Sequence, residues 1–236
     1  MTIDSHMHIG DFPLFNVRID EAGLARVFET HEIDAGMLFY PDNDLTRTVV
    51  ERLDPAYGFY WANPKKSGYV EEAARFLDHP KFLGVKMHPL IDGYHPDDAS
   101  VHPLIELLIE RDLPVLIHSG HPIFSLPWSI EELIVRYPEA KVILGHMGHT
   151  NIVYINAAIA IAERHPNVYL ETSGMPMHTK IAEAYERVGD RVLYGSDVPC
   201  HDPAVEILKV KVSGLDPEGV HAVLDANARK LFFTKP

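Results

Sequence analysis

Short apolar runs rich in β-branched and aromatic residues recur near positions 2–8, 33–40, 57–62, 82–88, 113–118, 141–146, 167–172 and 191–197. Each is followed by a longer stretch whose apolar residues are spaced as on one face of a helix, with helices predicted over 20–31, 68–78, 101–111, 129–137, 150–164 and 179–188. Asp20 suits the N-cap of the first of these, because its carboxylate can accept an unpaired N–H of the opening turn. Pro89, Pro96, Pro103, Pro122, Pro127, Pro176 and Pro199 fall in or beside segments that follow strands, where a missing N–H breaks no ladder. Eight such alternations predict an α/β fold, a compact (β/α)8 TIM barrel. An open doubly wound sheet would usually show fewer units and a G-x-G-x-x-G loop after its first strand, which this chain lacks. At 236 residues the chain is near the short end for a barrel, so brief loops and one missing or irregular helix are expected. Residues 217–232, opening with Pro217, predict an extra C-terminal helix.

No shift in composition marks a linker, and a 46% hydrophobic content is enough for one sizeable core, so a single domain over 1–236 is expected. The formal charge of −13 argues against partners that need clustered cations, namely a nucleic-acid backbone or an anionic membrane surface. A small-molecule substrate is the partner that fits. Cys200 is the only cysteine, which rules out an intramolecular disulfide and points to a reducing compartment. The strand pattern starts at residue 2 and leaves no room for a leader peptide, and no apolar run reaches the length of a membrane span. A cytoplasmic location is therefore expected, with a homodimer as a candidate assembly.

Candidate chemistry sits at the strand ends. Asp4, His6 and His8 alternate along the first strand, which would place three ligand-type side chains on one face and Ile3, Met7 and Ile9 on the other. Two imidazoles at this spacing can grip one divalent ion. With 15 histidines in the chain, the pair gains weight from the other strand ends: Lys86 and His88 on the fourth, His118 on the fifth, His146 on the sixth and Asp197 on the eighth. Barrel enzymes keep their catalytic groups at that rim. By alternation Leu116 shares a face with His118, Leu144 with His146 and Gly195 with Asp197, so all of these could point inward. His88 has two readings, a strand-end cap or a substrate contact. His121, His149, His178 and His201 lie in loops that would roof the site, Trp61, Phe124 and Trp128 read first as packing residues, and Arg18 and Arg47 as surface residues. No G-x-S-x-G elbow is present, and Cys200 has no evident activating neighbour, so covalent catalysis is not required.

The segments DSHMHIG at 4–10, GVKMHP at 84–89, LIHSG at 116–120, VILGHMG at 142–148, YLETSG at 169–174 and RVLYGSDVP at 191–199, with NARKLF at 227–232 more weakly, resemble the amidohydrolase superfamily. Within it they are similar to the amidohydrolase-2 branch that also holds the aminocarboxymuconate-semialdehyde decarboxylase relatives. The resemblance implies a divalent metal, zinc by precedent, on His6, His8, His118 and Asp197, with His146 beside it as acid, base or polarising group. In binuclear members a carbamylated lysine bridges two ions, which would draw Lys86, His118 and His146 to a second metal. The milder implication, and the preferred one, is an unmodified Lys86 ammonium that pairs with a substrate carboxylate or with the metal-site acid, with one ion. The implied activity is hydrolysis of an amide, ester or lactone of a small molecule, with Asp197 and His146 handling protons. Its alternative is decarboxylation of a small unsaturated or aromatic acid. A non-catalytic metal-binding protein is a further alternative, against which the acid–base pair of His146 and Asp197 speaks.

Overall fold

The computed structural model describes residues 1–234, so the last two positions of the expected domain lie outside the described residues. Strands β1 (Ile3–His8), β4 (Ala35–Phe39), β5 (Ala56–Ala62), β6 (Phe82–Met87), β7 (Val115–His118), β8 (Val142–Gly145), β9 (Val168–Glu171) and β10 (Val192–Leu193) form one parallel sheet in that order. Backbone bonds then join its two edges: Ser5 N–H donates to Tyr194 O at 2.9 Å, Asp197 N–H to His6 O at 2.7 Å and His8 N–H to Val198 O at 2.8 Å. The sheet is thus a closed TIM barrel, and closure leaves no strand edge unpaired. The last barrel strand keeps only two residues in the regular ladder, far fewer than the run at 191–197 predicts.

Strands β2 (Gly10–Phe12) and β3 (Val17–Ile19) form an antiparallel hairpin ahead of the first helix, an insertion the sequence pattern does not predict. Helices α1 (Glu21–Thr30), α2 (Asn43–Arg52), α3 (Tyr69–Leu77), α4 (Pro89–Asp92), α5 (His102–Glu110), α6 (Pro127–Arg136), α7 (Ile152–Arg164), α8 (Thr179–Val188) and α9 (Pro203–Lys211) follow the barrel strands, and no strand lacks one. The expectation of a missing helix is therefore corrected. Asp20 caps α1 as predicted, accepting the Gly23 N–H at 2.8 Å, and Asp42 and Asp202 cap α2 and α9, two helices absent from the predicted set.

The extra C-terminal helix is present as α10 (Pro217–His221) and α11 (Asn227–Phe233), with a π-helical turn over Ala222–Ala226 between them. It does more than pack outside. Ala228 and Phe232 join Ile3, Met37, Phe59, Leu116, Ile143 and Leu193 in an apolar cluster inside the barrel, so α11 stops its lower end. A second and larger cluster fills the layer between strands and helices.

Candidate metal centre

The first strand carries one residue more than its partner between Asp4 and Met7: Asp4 pairs with Gly36, but Met7 pairs with Leu38. This bulge corrects the expected alternation, because an extra residue shifts everything after it to the opposite face. Ile3 belongs to the inner cluster while Met7 and Ile9 belong to the outer one. Asp4 accordingly falls out of line with His6 and His8. Its Oδ1 accepts the N–H groups of His6 at 3.1 Å and Ser196 at 2.9 Å, tying the first strand to the turn that bears Asp197. Burial pushes the Asp4 carboxyl up to about 7.

Asp197 enters the mouth from a left-handed backbone position at φ 59°, one turn before the loop of His201. Its Oδ1 lies 2.8 Å from His8 Nε2 and 3.4 Å from His6 Nε2, and all three residues are buried. The facing nitrogen of each ring is set by what the other nitrogen meets. His8 Nδ1 is 3.2 Å from the Phe39 carbonyl and Nε2 is 2.8 Å from the Asp197 carboxylate, both acceptors, so a metal ion on Nε2 would take the place of a proton there while Nδ1 keeps its own. His6 Nδ1 faces the Glu171 carboxylate at 2.7 Å, with the same result. Two imidazole nitrogens and a carboxylate oxygen therefore converge within 4.8 Å of one another. This set of two imidazoles and a carboxylate fits a divalent ion. Burial, reinforced by the Lys86 charge, holds His6 well below its usual range and keeps it neutral. Burial alone would raise Asp197, but the hydrogen bond from His8 and the electrostatic pull of the neighbouring His6, His8 and Lys86 side chains outweigh that and hold the carboxyl at about 2.

His146 reaches the same mouth by another route. Ile143 faces the interior whereas Val142 and Leu144 face the helices, so the predicted face-sharing of Leu144 and His146 does not carry it inward. Positive φ angles of 64° at His146 and 47° at Met147 turn the chain instead. A Cβ on Gly120 would lie 2.4 Å from the Gly148 backbone, so the loops after β7 and β8 touch at a point that only glycine allows.

His146 Nδ1 donates to Ser173 O at 3.1 Å, leaving Nε2 to accept from His118 Nδ1 at 3.0 Å. His118 Nε2 then accepts from His121 Nδ1 at 2.9 Å. Both nitrogens of His118, the expected fourth ligand, are thereby engaged by other histidines, and His118 is absent from the converging group around Asp197. Burial keeps the His118 and His146 rings well below their usual range, helped by His88 in the first case and His6 in the second.

Lys86 is 1% exposed, and its Nζ lies 4.8 Å from the centre of the Phe39 ring, a ring that also packs on His6 and His8. Burial lowers the Lys86 pKa against the upward pull of Asp197 and Glu171. His88 caps α4 through Nδ1, which accepts the Ile91 N–H at 3.3 Å, and its ring is sandwiched between Trp61 and His118. His149 and His201 border the site, with His201 Nε2 at 3.7 Å from Asp197 Oδ2, whereas His178, Arg18 and Arg47 lie on the surface. Cys200 is half-buried, and burial raises its thiol to about 12.

Glu171 is the functional candidate that sequence reasoning missed. It ends β9, fully buried, inside the YLETSG segment, and the signal available was its place at the one strand end among the last five that carried no assigned residue.

Two cavities of about 510 and 540 Å3 open at the opposite end of the barrel, around Asp112, Lys141, Leu231 and Thr234. Their cations are already engaged: Lys141 with Asp112, Arg111 with Asp78, Lys230 with Asp190, and Arg191 with three backbone carbonyls. The ligand-type cluster lies at the other end.

A family model described as Amidohydrolase matches residues 3–234. No curated protein matches the sequence. Among solved structures, the chain is similar to 5-carboxyvanillate decarboxylase from Sphingomonas paucimobilis, at 16% identity and a TM-score of 0.74 over 99% of both chains. It is also similar to a dihydroxybenzoic acid decarboxylase from Polaromonas with bound manganese and 2-nitroresorcinol, at 17% identity and a TM-score of 0.76 over 98% of this chain and 96% of that one. A probable 2-pyrone-4,6-dicarboxylic acid hydrolase from Acinetobacter baumannii, with citric acid bound, matches at 15% identity and a TM-score of 0.74 over 99% of both chains.

Proposed function

This chain belongs to the amidohydrolase family, and from that premise we propose that it is a metal-dependent decarboxylase of a small aromatic or unsaturated carboxylic acid. The observation that carries the proposal is Lys86, an amine buried at the barrel mouth against the Phe39 ring that also packs on His6 and His8. A desolvated ammonium there is costly unless a substrate anion faces it, and a carboxylate is the matching group. Hydrolysis, the first expectation from sequence, now stands second: two of the three solved relatives named above are decarboxylases and one is a hydrolase.

His6, His8 and Asp197 would hold the ion. Manganese, held by the Polaromonas relative, joins zinc as a candidate for its identity. When bound, a divalent cation supplies Lewis-acid polarisation of a substrate oxygen and acidifies water. Lys86 Nζ orients the acid through its carboxylate until the C–C bond breaks and carbon dioxide departs. The electron pair left on the ring carbon takes up one proton. Neutral His118 can give it from Nδ1, with His121 Nδ1 supplying its Nε2 in turn from the half-exposed loop. Asp197 stays ionised throughout, consistent with its low pKa.

The lone, half-buried Cys200 supports the cytoplasmic setting, and no helix among the described residues is long and apolar enough to cross a membrane. Assembly as a homodimer is the state that light scattering would test.

Protein loaded with manganese or zinc should release carbon dioxide from a member of a hydroxybenzoate and carboxyvanillate panel, and a chelator should stop it. Opening of a pyrone or other lactone without carbon dioxide release, and none from the acids, would overturn the decarboxylase reading in favour of hydrolysis.

A further inference from the structure

We propose that Glu171 is a positioning residue that locks the His6 ring in the orientation and tautomer needed to bind the cation, with Gly195 as the gap that admits its carboxylate. The proposal rests on the metal site read above and assigns a role to a residue outside it.

Glu171 Oε2 lies 2.7 Å from His6 Nδ1. The same oxygen accepts the His146 N–H at 3.1 Å and the Ser173 hydroxyl at 2.9 Å, while Oε1 accepts the Ser173 N–H at 2.5 Å. Two of these four partners are backbone N–H groups that can only donate, one to each oxygen, so the carboxylate acts as an acceptor and the His6 proton sits on Nδ1. His6 Nε2 is then fixed as the lone pair facing Asp197. His6, His146 and Glu171 themselves bring three ligand-type atoms within 4.8 Å. Protein donors already occupy both Glu171 oxygens, which favours an orienting role over a second ion there. Gly195 supplies an independent observation. A Cβ at that position would stand 2.2 Å from Glu171 Oε1 and 2.7 Å from the His6 Cβ, so a side chain there would expel the carboxylate from beneath the ring. A carboxylate behind a ligating histidine raises the ring's basicity as well as aiming it, and loss of such a partner typically costs about 10–100-fold in metal affinity.

The test uses the full chain. In metal-free, 15N-histidine-labelled protein, long-range proton–nitrogen correlations should show His6 as the Nδ1–H tautomer; an Nε2–H tautomer would overturn the proposal. Titration with manganese should give a Kd about 10–100-fold weaker in Glu171→Gln than in the parent, with the number of ions per chain unchanged. Gly195→Ala should weaken binding likewise, and serves if Glu171→Gln does not fold. An unchanged Kd in the folded variant, or the loss of one ion per chain, would overturn the proposal, the latter by making Glu171 a ligand. If the parent binds no manganese or zinc, the proposed function fails, and the tautomer measurement alone decides the role of Glu171.

Discussion

Single side chains at this site are defined by which of their atoms are already spoken for. His8 has given Nδ1 to a carbonyl and has only Nε2 to offer, whereas His118 has both ring nitrogens occupied by histidines. Replacing Asp197, an ionised oxygen ligand, by a neutral Asn should cut turnover sharply, with metal retained better than in His6→Ala or His8→Ala; full activity in a metal-loaded Asn variant would show that its charge is not needed. Lys86→Met should raise KM for carboxylate substrates by about 10–100-fold, the worth of one charge-assisted hydrogen bond, and leave the metal content alone, as elemental analysis would show. Most of these residues were legible because each is a ligand-type group closing an apolar run. Glu171 was not. An acid after Leu170 reads as an ordinary strand terminus, and only the folded chain reveals that it lies behind His6.

Elements follow the sequence where the pattern is long and depart from it where a single residue changes direction. The bulge in β1 and the positive φ values after β8 have no periodic signature, so the predicted faces of Asp4 and His146 failed although the strands themselves were legible. The β2–β3 hairpin was hidden because three-residue strands are too short to show alternation. In α2, the polar stretch Asn43–Arg52 hid the few apolar positions that pack. Contacts between elements are correspondingly sharp. A methyl added at Gly84 would stand 2.6 Å from Pro114 O, at the β6–β7 seam, so Gly84→Ala should lower stability by about 1–3 kcal/mol in chemical denaturation. Away from the site, Arg136 on α6 forks onto Asp97 in the loop before α5 and holds that carboxyl below its usual range. A depressed folded pKa means stability present above the unfolded value of 3.8 and lost as pH falls through the folded one. Arg136→Met should therefore lower the Tm at pH 7 and have a shrinking effect on acidification below pH 3.8, read from melting curves across that window.

At the scale of the whole molecule, eight strand–helix repeats were enough to foresee a closed barrel, because no other common architecture consumes that many in so short a chain. The plug was the part that could not be foreseen. A C-terminal helix is visible in sequence, but its entry into the barrel depends on where α9 and the π-helical turn leave it. Phe232 meets the Phe59 ring edge-to-face at 5.8 Å inside the lower cluster. Phe232→Ala should cost about 3–5 kcal/mol in urea unfolding, with metal affinity retained because the ligands sit at the other end.

The plug also brings the two ends of the described chain to one side: Arg229 on α11 reaches the Met1 sulfur at 3.8 Å. A surface tether or a fluorescent label attached at Met1 or on the outer face of α11 would hang beneath the vessel and leave its doorway clear.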